Sequence, residues 1–307
     1  MRFFIWLLFF NCLYALNFTP LVEIEYDKQK ALLGKKLFND TNLSPKNDIS
    51  CAKCHDVNLS YSGVAKISDV GLDKNPNYNQ DIYYPSVINA GYNYLFYHDA
   101  SVYRIKHQVQ KSFENEIEMA SSREYVEKIL NINNDYLKYF KLIYGKKPNY
   151  DDAIDAIVEF EKSLVSLNSK FDKYLRHEIE LNENEMQGME LFQKYACNSC
   201  HSGANLGGNI VAKLGDEEGC FKPSLLGYYN VTGNEMDKNY IKVPSIRNII
   251  DRNMHINGND DFLDFVIHTM VFCRLGITPN EKEIEQIKAF LYTLEGEKPE
   301  ILNEELK

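Results

Sequence analysis

The chain has 307 residues, 44 acidic against 34 basic side chains, a formal net charge of −10, and 21 tyrosines with 17 phenylalanines. That length fits two domains of ordinary size, and the aromatic content suffices for packed cores. The acidic balance argues against nucleic acid as a partner, because phosphates repel such a surface.

The chain opens with Met1-Arg2 and a largely apolar run from Phe3 to Leu13, followed by the small Ala15. One positive charge, a short apolar stretch and a small residue read as a signal peptide over 1–15, cut after Ala15. The run is too short for a comfortable membrane span, with an uncleaved anchor as the alternative. Cys12 is no lipoprotein site, because Asn11 precedes it where a small residue is needed, and the single tryptophan, Trp6, leaves with the leader. Residues 27–39 have the period of a helix, with Leu32, Leu33 and Leu37 on its apolar face. A polar loop from Asp40 to Ser50 leads to Cys51-Ala52-Lys53-Cys54-His55. The stretch Val57 to Tyr84, with Gly63, Gly71 and Pro76, reads as a long loop, a length that in a compact domain is functional or wraps a cofactor.

Aromatic and polar residues (Tyr92, Tyr94, Phe96, Tyr97, His98) precede a helix expected near 101–112. Asp151 or Asp152 is the expected cap of a helix reaching about Leu167, whose Ile154, Ile157, Val158, Leu164 and Val165 form a core stripe. The charged stretch 170–182 reads as a domain break, giving domains 16–178 and 179–307. Asn182 caps a helix with Met186, Met189 and Phe192 inward, which delivers Cys197-Asn198-Ser199-Cys200-His201. Gly203, Gly207 and Gly208 mark a tight loop after it, and Pro223 to Pro244 looks irregular. In the last helix Thr278 is the expected N-cap, Pro279 the first helical residue and Glu281 the closing member of a capping box; Ile284, Ile287, Leu291 and Leu294 face inward, and Gly296 lies past the end. No strand-rich segment appears. The expected fold is mostly α, with two cytochrome c-type haem domains.

The two Cys-x-x-Cys-His runs carry the chemistry. Two thiols at that spacing can each bond one vinyl group of a single haem, and the adjacent histidine can then ligate the iron. A four-cysteine zinc site joining the pairs is the competing reading; it is disfavoured because the pairs are far apart and each has its own histidine. A redox Cys-x-x-Cys is weaker still, since no βαβ pattern surrounds either pair. Of the seven cysteines, Cys220 and Cys273 remain as two buried thiols or a disulfide. Export fits covalent haem, and places the chain in the periplasm with a small, basic electron donor as a compatible partner.

From here the chain resembles the bacterial di-haem cytochrome c peroxidases and their relatives of the methylamine-utilisation type. The resemblance rests on Leu33-Gly34-Lys35-Lys36-Leu37-Phe38, Pro85-Ser86-Val87-Ile88-Asn89-Ala90, Ile117-Glu118-Met119, Leu191-Phe192, Asn205-Leu206-Gly207-Gly208-Asn209 and Lys242-Val243-Pro244-Ser245-Ile246-Arg247-Asn248, in order over residues 29–297. It implies two covalent c-type haems, attached at Cys51 and Cys54 and at Cys197 and Cys200. His55 is the implied proximal ligand of the first, where peroxide reacts. His201 and Met270 are the implied axial ligands of the second, which stores electrons from a small c-type cytochrome. Glu118 resembles the family's catalytic glutamate and Gln108 its pocket glutamine. Without the resemblance, Glu118 is part of a charge run with Glu114 and Glu116, and Met270 is a core methionine. The resemblance also implies hydrogen peroxide as substrate and a homodimer.

The departures are specific. No histidine lies between His55 and His98, and Asn75 stands where activation-requiring members carry a blocking histidine. The first haem is therefore expected to be open, or capped by another group such as Tyr83 or Tyr84. His98 replaces the family's relay tryptophan; His98 or Tyr97 bridges the gap, or His98 is a satisfied structural histidine. Tyr83 also replaces a calcium-binding asparagine, which puts calcium in doubt. His255 lies in a divergent segment, 253–258, and is assigned no role. The alternatives are a di-haem oxidase of the methylamine-utilisation type and a non-enzymatic di-haem electron carrier.

Overall fold

The computed structural model describes residues 18–57, 85–213, 215, 220, 226–251 and 261–306. The leader, Asn75, Tyr83, Tyr84 and His255 lie outside them. The helices are α1 Lys28–Phe38, α2 Cys51–Cys54, α3 Ile105–Glu114, α4 Arg123–Ile132, α5 Asn134–Tyr144, α6 Tyr150–Ser163, α7 Lys170–Leu175, α8 Glu183–Lys194, α9 Tyr229–Thr232, α10 Asp261–Leu275 and α11 Glu281–Tyr292. A short antiparallel pair, β1 Val211–Lys213 with β2 Tyr240–Lys242, adds a strand element that the sequence did not suggest.

Two apolar cores organise these elements, and both use the same helix crossing. In the first, α1 meets α6 so closely that a Cβ on Gly34 would lie 1.9 Å from the Ala156 carbonyl oxygen and 2.9 Å from Phe160 Cβ. In the second, α8 meets α11, and a Cβ on Gly188 would lie 1.9 Å from the Gln286 carbonyl oxygen and 2.9 Å from Phe290 Cβ. Each glycine lets two backbones touch where a methyl group would not fit. Gly34→Ala and Gly188→Ala are each expected to destabilise the haem-loaded protein by about 1–3 kcal/mol through overpacking. The urea midpoint measures this, and an unchanged midpoint would mean that the helices do not approach so closely.

Two helix caps differ from expectation. Asn149, not Asp151 or Asp152, caps α6 by accepting from the Asp152 amide, and the helix ends at Ser163 rather than Leu167. The chain leaves the helix there because the Leu164 carbonyl accepts from the Asn89 amide and the Leu167 carbonyl from the Glu297 amide. Asn280, not Thr278, caps α11, and Glu283, not Glu281, closes the box. Two overlapping cap patterns compete here, and asparagine is the stronger N-cap. The α8 cap, Asn182 with Glu185, is as expected.

The charged stretch 170–182 is buried at its start and exposed over 177–180. Phe171 and Asp172 on α7 are fully buried, Phe171 in the second core. The chain ends also cross over. Phe18 packs in the second core, whereas Ile301 packs in the first and Lys35 Nζ donates to the Leu302 and Glu304 carbonyls. Asp172 Oδ1 accepts from the Leu21 amide and pairs with Arg247 at 2.9 Å, both side chains being buried. At the junction of the two halves, Ser166 Oγ accepts from the side-chain amides of Asn89 and Asn248. The segments Pro85–Ala90 and Lys242–Asn248 are thus structural joints, each contributing an asparagine with positive φ.

Candidate functional site

Each Cys-x-x-Cys-His run is seated against one of the cores. Cys51 packs against the first and Cys197 against the second. Cys51, Cys54, Cys197 and Cys200 are in no disulfide, while Cys220 and Cys273 form one. Thiols held in two separate cores do not make one four-cysteine zinc site, and among the described residues no group of three or more metal-binding side chains converges.

The first run opens on a cavity of about 520 Å³, including space open to solvent. Its walls include Cys51, Cys54, His55, Gln108, Ser112, Glu118 and Glu161. The local sequence explains why they meet. Val109 and Phe113 bury one face of α3 in the first core. Gln108 and Ser112, one turn apart, share the face turned to the cavity. After α3 the chain folds back: the Met119 amide donates to the Ser112 carbonyl, the Ala120 amide to Asn115 and the Ser121 amide to Phe113. Buried Met119 anchors that turn and brings Glu118 to the same wall.

The polar atoms of Gln108, Ser112 and Glu118 on this wall are linked through Tyr97 behind it. Gln108 Nε2 donates to Ser112 Oγ at 2.9 Å. Ser112 Oγ and the Tyr97 hydroxyl are 3.3 Å apart, and that hydroxyl donates to Glu118 Oε1 at 3.4 Å. Asn115 Nδ2 donates to the same oxygen at 2.7 Å. Tyr97 has φ 62°, a left-handed conformation that costs a bulky residue about 1–3 kcal/mol. A turn holds it, with the Ala100 amide donating to the Tyr97 carbonyl. Burial, then the Glu118 charge, push the Tyr97 phenol above its ordinary range, so it stays a donor.

Burial lowers His55 to about 4, against an opposing hydrogen bond to the Pro85 backbone. The ring is therefore neutral near pH 7, the form that ligates iron. His201 Nδ1 donates to the Leu206 carbonyl at 3.1 Å. That bond fixes the tautomer and makes Nε2 the nitrogen with a lone pair that could ligate a metal. Met270 is half-buried on α10, whose Ile267 and Val271 enter the second core. His98 is not the satisfied histidine considered above: its Nε2 is buried without a hydrogen-bond partner, although its carbonyl accepts from the Lys242 amide.

Glu161 is the residue that the sequence reading missed. It lies on α6 four residues after Ile157, on the buried stripe, and only the charge at a core position marked it. It is 4% exposed, and its Oε2 is buried without a hydrogen-bond partner. Burial raises its pKa from 4.5 to about 8. Between those values the folded chain holds a proton that the unfolded chain has released, so this group makes stability fall as pH rises from 4.5 to about 8. Glu161→Gln removes the effect. The variant is expected to melt above the parent at pH 8, with the gain vanishing below pH 4.5; a gain that does not depend on pH would contradict this.

The residues fit haem at both places. Each offers two thiols outside any disulfide and a histidine, and the first adds a cavity with an orphaned buried carboxyl on its wall.

A family model described as di-haem cytochrome c peroxidase matches residues 28–180. The chain is 36% identical over 281 residues to cytochrome c551 peroxidase of Nitrosomonas europaea, covering 88% of this chain and 81% of that protein. It is 33% identical to cytochrome c peroxidase Ccp of Escherichia coli, covering 89% of this chain but 60% of that protein. Among solved structures, a MauG-like protein associated with microbial copper homeostasis superposes with a TM-score of 0.72 at 20% identity, over 91% of this chain and 93% of that one, a likeness of fold.

Proposed function

The chain belongs to the di-haem cytochrome c peroxidase family, whose members act on hydrogen peroxide with a cytochrome donor, and from that premise we propose how its residues divide the work. Cys51 and Cys54 would hold the first haem, with His55 supplying its iron ligand. Cys197 and Cys200 would hold the second, with His201 and Met270 supplying its iron ligands. The observation that carries this reading is that Cys51, Cys54, His55, Gln108 and Glu118 line one cavity.

The haems supply the redox chemistry when bound. Overall, one hydrogen peroxide takes two electrons and two protons and gives two waters. The chain's part is positioning and proton transfer. Glu118 takes the proton from one peroxide oxygen and returns it to the other, as base and then acid. The Gln108 amide holds the substrate by hydrogen bonding. The protein matures by loss of residues 1–15 and works in the periplasm as a homodimer, with a small c-type cytochrome or similar donor delivering electrons at the second haem. Calcium is left out of this set because of Tyr83.

Azide binding tests the site. In the haem-loaded protein azide should perturb one haem only, and a variant lacking Cys51 and Cys54 should show no such response. A wild-type protein inert to azide, with the second haem oxidised or reduced, would contradict the reading and favour an electron carrier.

A further inference from the structure

We propose that Tyr97 and Ser112 complete the peroxide site by joining Gln108 and Glu118 into one directed hydrogen-bond chain that positions the glutamate. The inference rests on the roles proposed above for Glu118 and Gln108.

The direction follows from what each group can do. The Gln108 amide nitrogen only donates, so Ser112 Oγ accepts from it at 2.9 Å. The serine proton is then available to Tyr97 at 3.3 Å, and the Tyr97 proton goes to Glu118 Oε1 at 3.4 Å. Asn115 donates to the same oxygen from the other side at 2.7 Å. Two donors therefore converge on one carboxylate oxygen and fix its rotamer, while Gln108 is tied to it through two hydroxyls. The two hydroxyl links are longer than ordinary O–H···O bonds. Such spacing is expected of a catalytic network that tightens when a ligand fills the cavity. The strained backbone at Tyr97 supports the same view, since a residue held at φ 62° brings its hydroxyl to Ser112 and Glu118, two residues that line the cavity. Both are positioning residues, acting through Glu118 and Gln108.

The test is cyanide association with the first haem of the loaded protein, followed by stopped-flow absorbance against pH, with the second haem oxidised and again reduced. Hydrogen cyanide sheds its proton as it binds, so the rate reads the base directly, apart from turnover. Tyr97→Phe keeps the ring over which Lys111 Nζ lies at 4.5 Å and removes only the hydroxyl. Its association is expected to be about tenfold slower, from the loss of one hydrogen bond to a charged group. Its acid limb should move to higher pH, because a carboxylate that has lost a donor takes up a proton more readily. Ser112→Ala should shift both in the same direction by less. Glu118→Gln is the reference. If it slows association while Tyr97→Phe and Ser112→Ala keep the wild-type rate and profile, the chain has no role. If all three match the wild type, the assignment of Glu118 falls as well.

Discussion

Glu118→Gln is expected to lower kcat/KM for hydrogen peroxide by about 10²–10⁴-fold, with both haems attached and the KM for the donor nearly unchanged. The substitution keeps the shape and one oxygen that can accept from Asn115 and Tyr97, so the turn that Met119 anchors should persist. What it removes is the ability to take a proton at one peroxide oxygen and release it at the other. A positioning group alone would cost about tenfold. The size of the loss therefore separates a proton carrier from a bystander on the wall. A variant with wild-type turnover would place the base elsewhere, and Glu161, buried in the same cavity, would be next to test.

Met270→Ala is expected to lower the potential of the second haem by an appreciable part of the roughly 0.8 V that axial ligands span. A thioether favours the reduced metal, so its loss makes the second haem a poor acceptor for a donor cytochrome. The surroundings of α10 suit a fixed ligand. Cys273, three residues beyond Met270, is tied to Cys220 by the disulfide. Arg274 Nη1 donates to the Lys213 carbonyl at 2.7 Å, and a Cβ on Gly215 would lie 2.6 Å from the Cys273 carbonyl oxygen. A potentiometric titration measures the effect, and azide binding at the first haem should be unaffected. An unchanged second potential would make Met270 a core methionine.

The two Cys-x-x-Cys-His runs stand out in the sequence because covalent haem attachment, if it occurs there, fixes the spacing inside five residues. The apolar faces of α1, α8 and α11 were legible from period alone, although the caps of α6 and α11 were misplaced where neighbouring residues offered competing caps. Glu118 was different. Among Glu114 and Glu116 nothing local distinguishes it, and only the fold-back onto the Ser112 and Phe113 carbonyls separates it from a solvated run. Tyr97 and Ser112 meet through a positive φ that no periodicity encodes. Glu161 shows the limit of treating a helical stripe as uniform, because one carboxyl among isoleucines and valines is a buried titratable group needing a reason. The crossing of the chain ends, Phe18 into the second core and Ile301 into the first, depends on packing between segments distant in sequence.

The most direct measurement is peroxide-dependent oxidation of a reduced small c-type cytochrome by the mature, haem-loaded protein, started from the fully oxidised state. The expected result is immediate turnover with two donors oxidised per peroxide, since Asn75 stands where a blocking histidine would be. No turnover with several donors, even after the second haem is first reduced, would contradict the assignment of the cavity beside Cys51 and His55 as a working peroxide site.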